Sequence, residues 1–86
     1  MTIEEQYKKD NLKMQKRLKE EIHRISLGSS RRDMGELNKI LEEIVESYDC
    51  KGKKMYFPRA IIDSWDNLDP LGEDLLLLNA LYKKWK

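Results

Sequence analysis

The sequence is short of most of the devices that stabilise or anchor a small protein. It has one cysteine, two prolines, four glycines and a single phenylalanine among 86 residues. One cysteine, Cys50, rules out an intramolecular disulfide framework and suits a reducing compartment. Its longest unbroken apolar run is Leu75 to Leu78, far below the roughly 18 to 20 residues that cross a bilayer. The opening MTIEEQYKKDN lacks the apolar stretch of a secretion signal. The expectation is a soluble, cytoplasmic protein. A chain of this size buries only about 60 to 65% of its unfolded surface, so a partner or a second copy would help its stability.

Charge is abundant but almost balanced, at 17 Lys and Arg against 16 Asp and Glu. A net +1 creates no global field that would draw in nucleic acid or membrane. The charges are nevertheless segregated. Residues 1–32 carry a net +4, residues 33–50 a net −5 and residues 51–86 a net +2. These blocks can neutralise one another in a bundle or present separate patches.

Apolar residues are periodic rather than scattered, which argues for folded helices over disorder. Thr2-Ile3-Glu4-Glu5 has the form of a capping box, and Ile3, Tyr7, Met14, Leu18, Ile22 and Ile25 follow on one seam, with Asn11 in its gap. Gly28 suits a left-handed helix end. A first helix over about residues 3–27 would be nearly 37 Å long at about 1.5 Å per residue. Ser30 or Asp33 can cap a second helix, about 33–49, whose inner face is Met34, Leu37, Ile40, Leu41, Ile44, Val45 and Tyr48. The short connector predicts an antiparallel hairpin that sets the basic first helix beside the acidic second.

Pro58 suits the first turn of a third helix, about 58–66, with Ile61, Ile62 and Trp65 facing inward. Asp69-Pro70 then opens a fourth, about 70–85. On it Leu71, Leu75, Leu78, Tyr82 and Trp85 form a heptad seam, widened on one side by Leu77 and Leu81. Leu76 points roughly 160° from Leu78, with Ala80 near it, and could form a second apolar face toward a partner. The predicted fold is all-α: a single small helical bundle over 1–86, a long antiparallel hairpin closed by a short third helix and a C-terminal fourth. Its expected core is Leu18, Ile22, Ile25, Leu37, Ile40, Leu41, Ile44, Ile61, Ile62, Trp65, Leu75, Leu78, Leu81 and Tyr82.

Reactive constellations are scarce. Asp63, Asp66 and Asp69 recur every third residue, but an EF-hand needs acids on alternate positions, then a glycine and a distal glutamate. They are read as solvated carboxylates, with Asp69 a cap. His23, the only histidine, has no second ligand for zinc and no serine or cysteine to activate. Cys50 follows the second helix beside Lys51 and Lys53 and is not read as a reactive thiol. No catalytic, metal or cofactor site is expected.

Two binding readings remain. In the first, the chain is a non-enzymatic module that binds and regulates or sequesters another protein. Its contact residues would be Lys53, Lys54, Tyr56, Phe57, Arg59, Leu76 and Trp85, since aromatics and arginine are enriched at protein hot spots. Size, helix count and charge resemble in format the small immunity and phage- or plasmid-encoded accessory proteins of bacteria, without a diagnostic motif. In the alternative, Lys9, Lys13, Lys16, Arg17, Arg31 and Arg32 contact nucleic-acid phosphates. Interleaved acids weaken that stripe, and pairs such as Glu4 with Lys8, Glu5 with Lys9 and Asp10 with Lys13 would solvate it internally. A homodimer through the first helix is also expected unless the later helices lie across Ile3, Tyr7 and Met14. No membrane partner is expected.

Overall fold

A computed structural model describes residues 1–66 and 68–85. It contains four helices, α1 (Ile3–Ser26), α2 (Met34–Ser47), α3 (Phe57–Ser64) and α4 (Pro70–Lys84). Helix α1 touches α2 and α4, and α3 touches the same two, so the four form a ring with α1 and α3 on opposite corners. Contacts along the helices set their directions. Tyr7 and Asn11 of α1 meet Ser47 and Ile44 of α2, Glu36 and Glu43 of α2 meet Trp65 and Phe57, and Tyr7 and Arg17 of α1 meet Tyr82 and Asp74 of α4. Neighbours therefore run antiparallel, in the up-and-down order that short loops favour. Among the described residues no helix is long and apolar enough to cross a membrane.

The caps follow from local sequence. The Thr2 hydroxyl accepts from the Glu5 amide at 3.1 Å, while the Glu5 carboxylate accepts from that hydroxyl rather than reaching the Thr2 backbone. Gly28 adopts φ 77°, with Ser29 N–H bonded to Arg24 C=O and Gly28 N–H to Ile25 C=O. This pair of bonds satisfies two carbonyls that the helix end would otherwise orphan. Asp33 caps α2, accepting from the amides of Gly35 and Glu36 at 2.8 and 3.3 Å. Asp69 caps α4 through Leu71 N–H at 3.0 Å.

Tyr7, Leu18, Leu37, Ile40, Ile44 and Leu75 are the most deeply buried apolar side chains, and the α4 seam of Leu71, Leu75, Leu78, Tyr82 and Trp85 is buried throughout. Ile22, Ile25, Leu41, Trp65 and Leu81 pack against this core from its margin. Three expectations fail. Val45, expected on the inner face of α2, is 47% exposed, because Leu37, Ile40, Ile44 and Ser47 form the face that is buried. Ile62 is 66% exposed, because the two-turn α3 presents only the Phe57–Ile61 stripe inward. Leu77 is 62% exposed, while Leu76 packs against the core. The buried face of α4 is rotated toward Gly72 and Asn79, where α3 lies. A Cβ on Gly72 would stand 3.0 Å from Trp65 Cε3 and 3.2 Å from Ile61 Cγ2, so the missing side chain lets the two helices approach.

The reach of α1 is covered within the chain. Tyr7 is fully buried against Tyr82 and Trp85, with ring centroids 4.9 and 5.6 Å apart, and Met14 is also buried, whereas Ile3 is half-exposed. The expected pairing of basic α1 with acidic α2 takes no direct form: among the described residues no ion pair joins the two helices. Nor do Glu4–Lys8, Glu5–Lys9 or Asp10–Lys13 form, Asp10 instead accepting from Gln6 Nε2 at 2.9 Å. Exposed pairs of this kind gain too little to hold two long side chains in place.

Candidate functional site

The connector between α2 and α3 is fixed at three points, and those points create a groove. Gly52, at φ 79°, turns the chain. The Tyr82 hydroxyl then clasps the turn, donating to the Cys50 carbonyl and accepting from the Lys53 amide at 2.8 Å. Beyond it, Glu43 accepts from the amides of Tyr56 and Phe57 at 3.1 and 3.0 Å, capping α3 in place of a local side chain. Phe57 drops into the core, and Pro58 continues the first turn of α3. Between this connector, α3 and the last turns of α4 lies an open groove of about 720 Å³.

Met55, Pro58, Ile62 and one edge of Trp85 supply its apolar surface, while Lys51, Lys53, Lys54, Arg59 and Lys83 supply the charge that the described residues bring to it. Among the described residues, no carboxylate belongs to the lining. Two of the cations are partnered from outside the groove. Lys53 pairs with Glu46, whose hydrogen bond holds the ammonium above its ordinary pKa. Arg59 pairs with Asp63 at 3.7 Å, with both side chains largely exposed. The Lys54 ammonium lies 5.5 Å above the Tyr56 ring, a cation–π distance.

Of the residues expected to meet a protein, Lys53, Lys54 and Arg59 thus come together at this groove, as does Trp85, though its ring packs mainly on Tyr7 and Tyr82. Tyr56 is 66% exposed outside the lining. Phe57 is buried and Leu76 half-buried, both as parts of the chain's own core. The lining adds Met55, Ile62, Asn79, Tyr82 and Lys83, of which Met55 lies in the segment 51–59 while Ile62 and Tyr82 are expected in the core. Ile62 carries one signal of its place, as an aliphatic residue one step off the narrow inner stripe of a two-turn helix.

The alternative basic set is split. Lys9, Lys13, Lys16 and Arg31 are exposed. Arg17 is held by Asp74 of α4. Arg32 is committed to the fold, bonded to Asp69, with Nη2 to Oδ1 at 2.7 Å, and to Glu21 at 3.2 Å, and stacked 5.0 Å from the Trp65 ring. The Asp69 bond raises the Arg32 pKa, and the same bond lowers that of Asp69.

The remaining candidates disperse. Asp63 faces Arg59, Asp66 accepts from the Leu68 amide at 2.9 Å, and Asp69 caps α4 while holding Arg32. His23 and Cys50 are exposed on opposite halves of the hairpin. Comparison with protein families, curated proteins and solved structures finds no match to this chain.

Proposed function

We propose that this chain is a non-enzymatic protein-interaction module that binds and regulates or sequesters another protein, and that the groove between α3 and α4 is its docking site. One observation carries the reading: an apolar cleft, with Ile62 two-thirds exposed inside it, has only cations among the charged described residues that line it. Exposed apolar surface with a polar rim is the ordinary anatomy of an interaction site. With Phe57 and Trp85 serving the core, the chain acts as receptor, and the anchor that fills the cleft comes from the partner. An accessory or immunity-type role in the cytoplasm is the setting this reading gives a small module that acts by occupancy.

A photo-crosslinking amino acid placed at Ile62 should capture a discrete partner in cells, while the same group at exposed Leu27 should not. Equal capture from both positions would sink the docking site. A homodimer through α1 would have to use Ile3 and Leu12, the exposed apolar residues of that helix, and a single monomeric mass across a concentration series by light scattering would remove it. The nucleic-acid reading now rests on Lys9, Lys13, Lys16 and Arg31. It requires oligonucleotide affinity that falls steeply between about 50 and 200 mM salt.

A further inference from the structure

Resting on that docking reading, we infer that the groove takes an acidic protein segment, one that carries Asp or Glu side chains around one or two aliphatic or aromatic anchors. The sign of the rim carries the inference. In a chain with 17 bases and 16 acids, five cations and no carboxylate line this cleft among the described residues. Among the described residues, Lys51, Lys54 and Lys83 have no carboxylate within 4.0 Å, so their charge is open to a partner. Lys53 and Arg59 hold acids from outside the groove and could exchange them for a partner's at little cost, since exposed pairs gain little.

The floor separates this occupant from other polyanions. A nucleic-acid strand binds by stacking bases on exposed aromatic faces. Here Met55, Pro58 and Ile62 supply the open apolar floor, the Tyr82 and Trp85 rings are packed on Tyr7 and on each other, and the exposed Tyr56 lies outside the lining with Lys54 over its face. The Tyr82 hydroxyl is engaged by Cys50 and Lys53, so the floor offers an anchor apolar contact rather than that hydrogen bond. A volume of about 720 Å³ lies toward the upper end of the range for concave binding sites and has room for more than one anchor side chain. An acidic segment with apolar anchors satisfies rim and floor together.

Selection of a phage-displayed random peptide library on the intact protein tests this. Enriched peptides should combine Asp or Glu with Leu, Ile, Met, Phe or Trp. Measured by fluorescence anisotropy, the best of them should weaken about tenfold or more on Ile62→Glu, the loss expected of a central anchor contact. Combined Lys51→Glu, Lys54→Glu and Lys83→Glu should weaken it by a similar factor, and added salt should weaken the wild-type complex. All four positions are exposed, and circular dichroism checks that the variants fold. Enriched peptides that need Ile62 but are neutral or basic would overturn the acidic inference and leave the docking site standing. Peptides indifferent to Ile62→Glu would overturn both. Self-association abolished by Ile62→Glu would make the occupant a second copy, and oligonucleotide binding lost on charge reversal but not on Ile62→Glu would make it a nucleic acid. Either outcome overturns the inference.

Discussion

Tyr7 shows how a single side chain links two helices of this bundle. Its ring is fully buried, yet its hydroxyl lies 2.6 Å from Ser47 Oγ and accepts from Asn11 Nδ2 at 3.3 Å. Asn11 in turn donates to the Ile44 carbonyl at 2.8 Å, and its own carbonyl accepts from Gln15 at 2.6 Å. A polar residue in the apolar seam of α1 thus ties that helix to the last turn of α2. Burial raises the Tyr7 pKa above 10.0, outweighing the bonds from Ser47 and Asn11 that lower it. Removing only the hydroxyl should cost little, because Ser47 can still donate to the Ile44 carbonyl, 2.9 Å away. Tyr7→Phe is expected to lower stability by about 1 kcal/mol in urea titrations. A loss above about 3 kcal/mol would mean that the hydroxyl holds more than this one junction. The sign of the pH effect is also fixed. A folded-state pKa raised above 10.0 gives stability that is complete below 10.0 and lost as pH rises through the folded value, so Tyr7→Phe should blunt alkaline unfolding.

Elements were legible where their signals are local. The capping residues Thr2, Asp33 and Asp69, the left-handed Gly28 and the α4 seam are set within one or two helical turns, and sequence spacing reports them directly. What spacing could not report is which side of α4 meets α3, since that depends on Gly72 admitting Trp65 and Ile61 from another part of the chain. Glu43 is a similar case: it caps a helix that starts 14 residues later, and only its place beside the Ile40–Ile44 stripe hinted at a buried task. Ile62 lines the groove rather than the core because the two-turn α3 turns only its Phe57–Ile61 stripe inward, which its packing on α2 and α4 decides. Asp69 combines both kinds of information, as a local cap and a remote clamp on Arg32. Its pKa is lowered, first by the Arg32 hydrogen bond, so its contribution is complete above the unfolded value of 3.8 and is lost as pH falls through the lower folded value. Asp69→Asn, which keeps an oxygen for the cap but loses the charge, should cost about 2 kcal/mol at neutral pH. Thermal melts as a function of pH should show the gap between the two proteins closing below 3.8. A gap that persists undiminished in acid would remove the ion pair as its cause.

At the scale of the whole molecule, closure of the bundle depends on three aromatic rings. Tyr7, near the start of α1, meets Tyr82 and Trp85 at the end of α4, with centroids 4.9 to 6.0 Å apart. This contact joins the two ends of the chain and closes over Tyr7 where the last residue of α2, Ser47, reaches only its hydroxyl. Trp85 is 9% exposed, and its remaining edge lines the groove. The same residue therefore seals the core and bounds the candidate docking site, which couples folding to occupancy. Trp85→Ala should remove about 3 to 5 kcal/mol. An 86-residue domain has a total of only about 4 to 13 kcal/mol, so this variant should lose a large share of its stability and melt well below the wild type. Trp85→Phe retains the ring stack with Tyr7 and should remain folded while narrowing the apolar edge of the groove. Guanidinium titrations of the two variants, followed by circular dichroism, separate the roles. If Trp85→Ala unfolds at the same denaturant concentration as the wild type, the aromatic contact is not what closes the bundle. If it is that contact, an occupant of the groove should raise the stability of the wild type by mass action, about 2.7 kcal/mol at a hundred times its Kd.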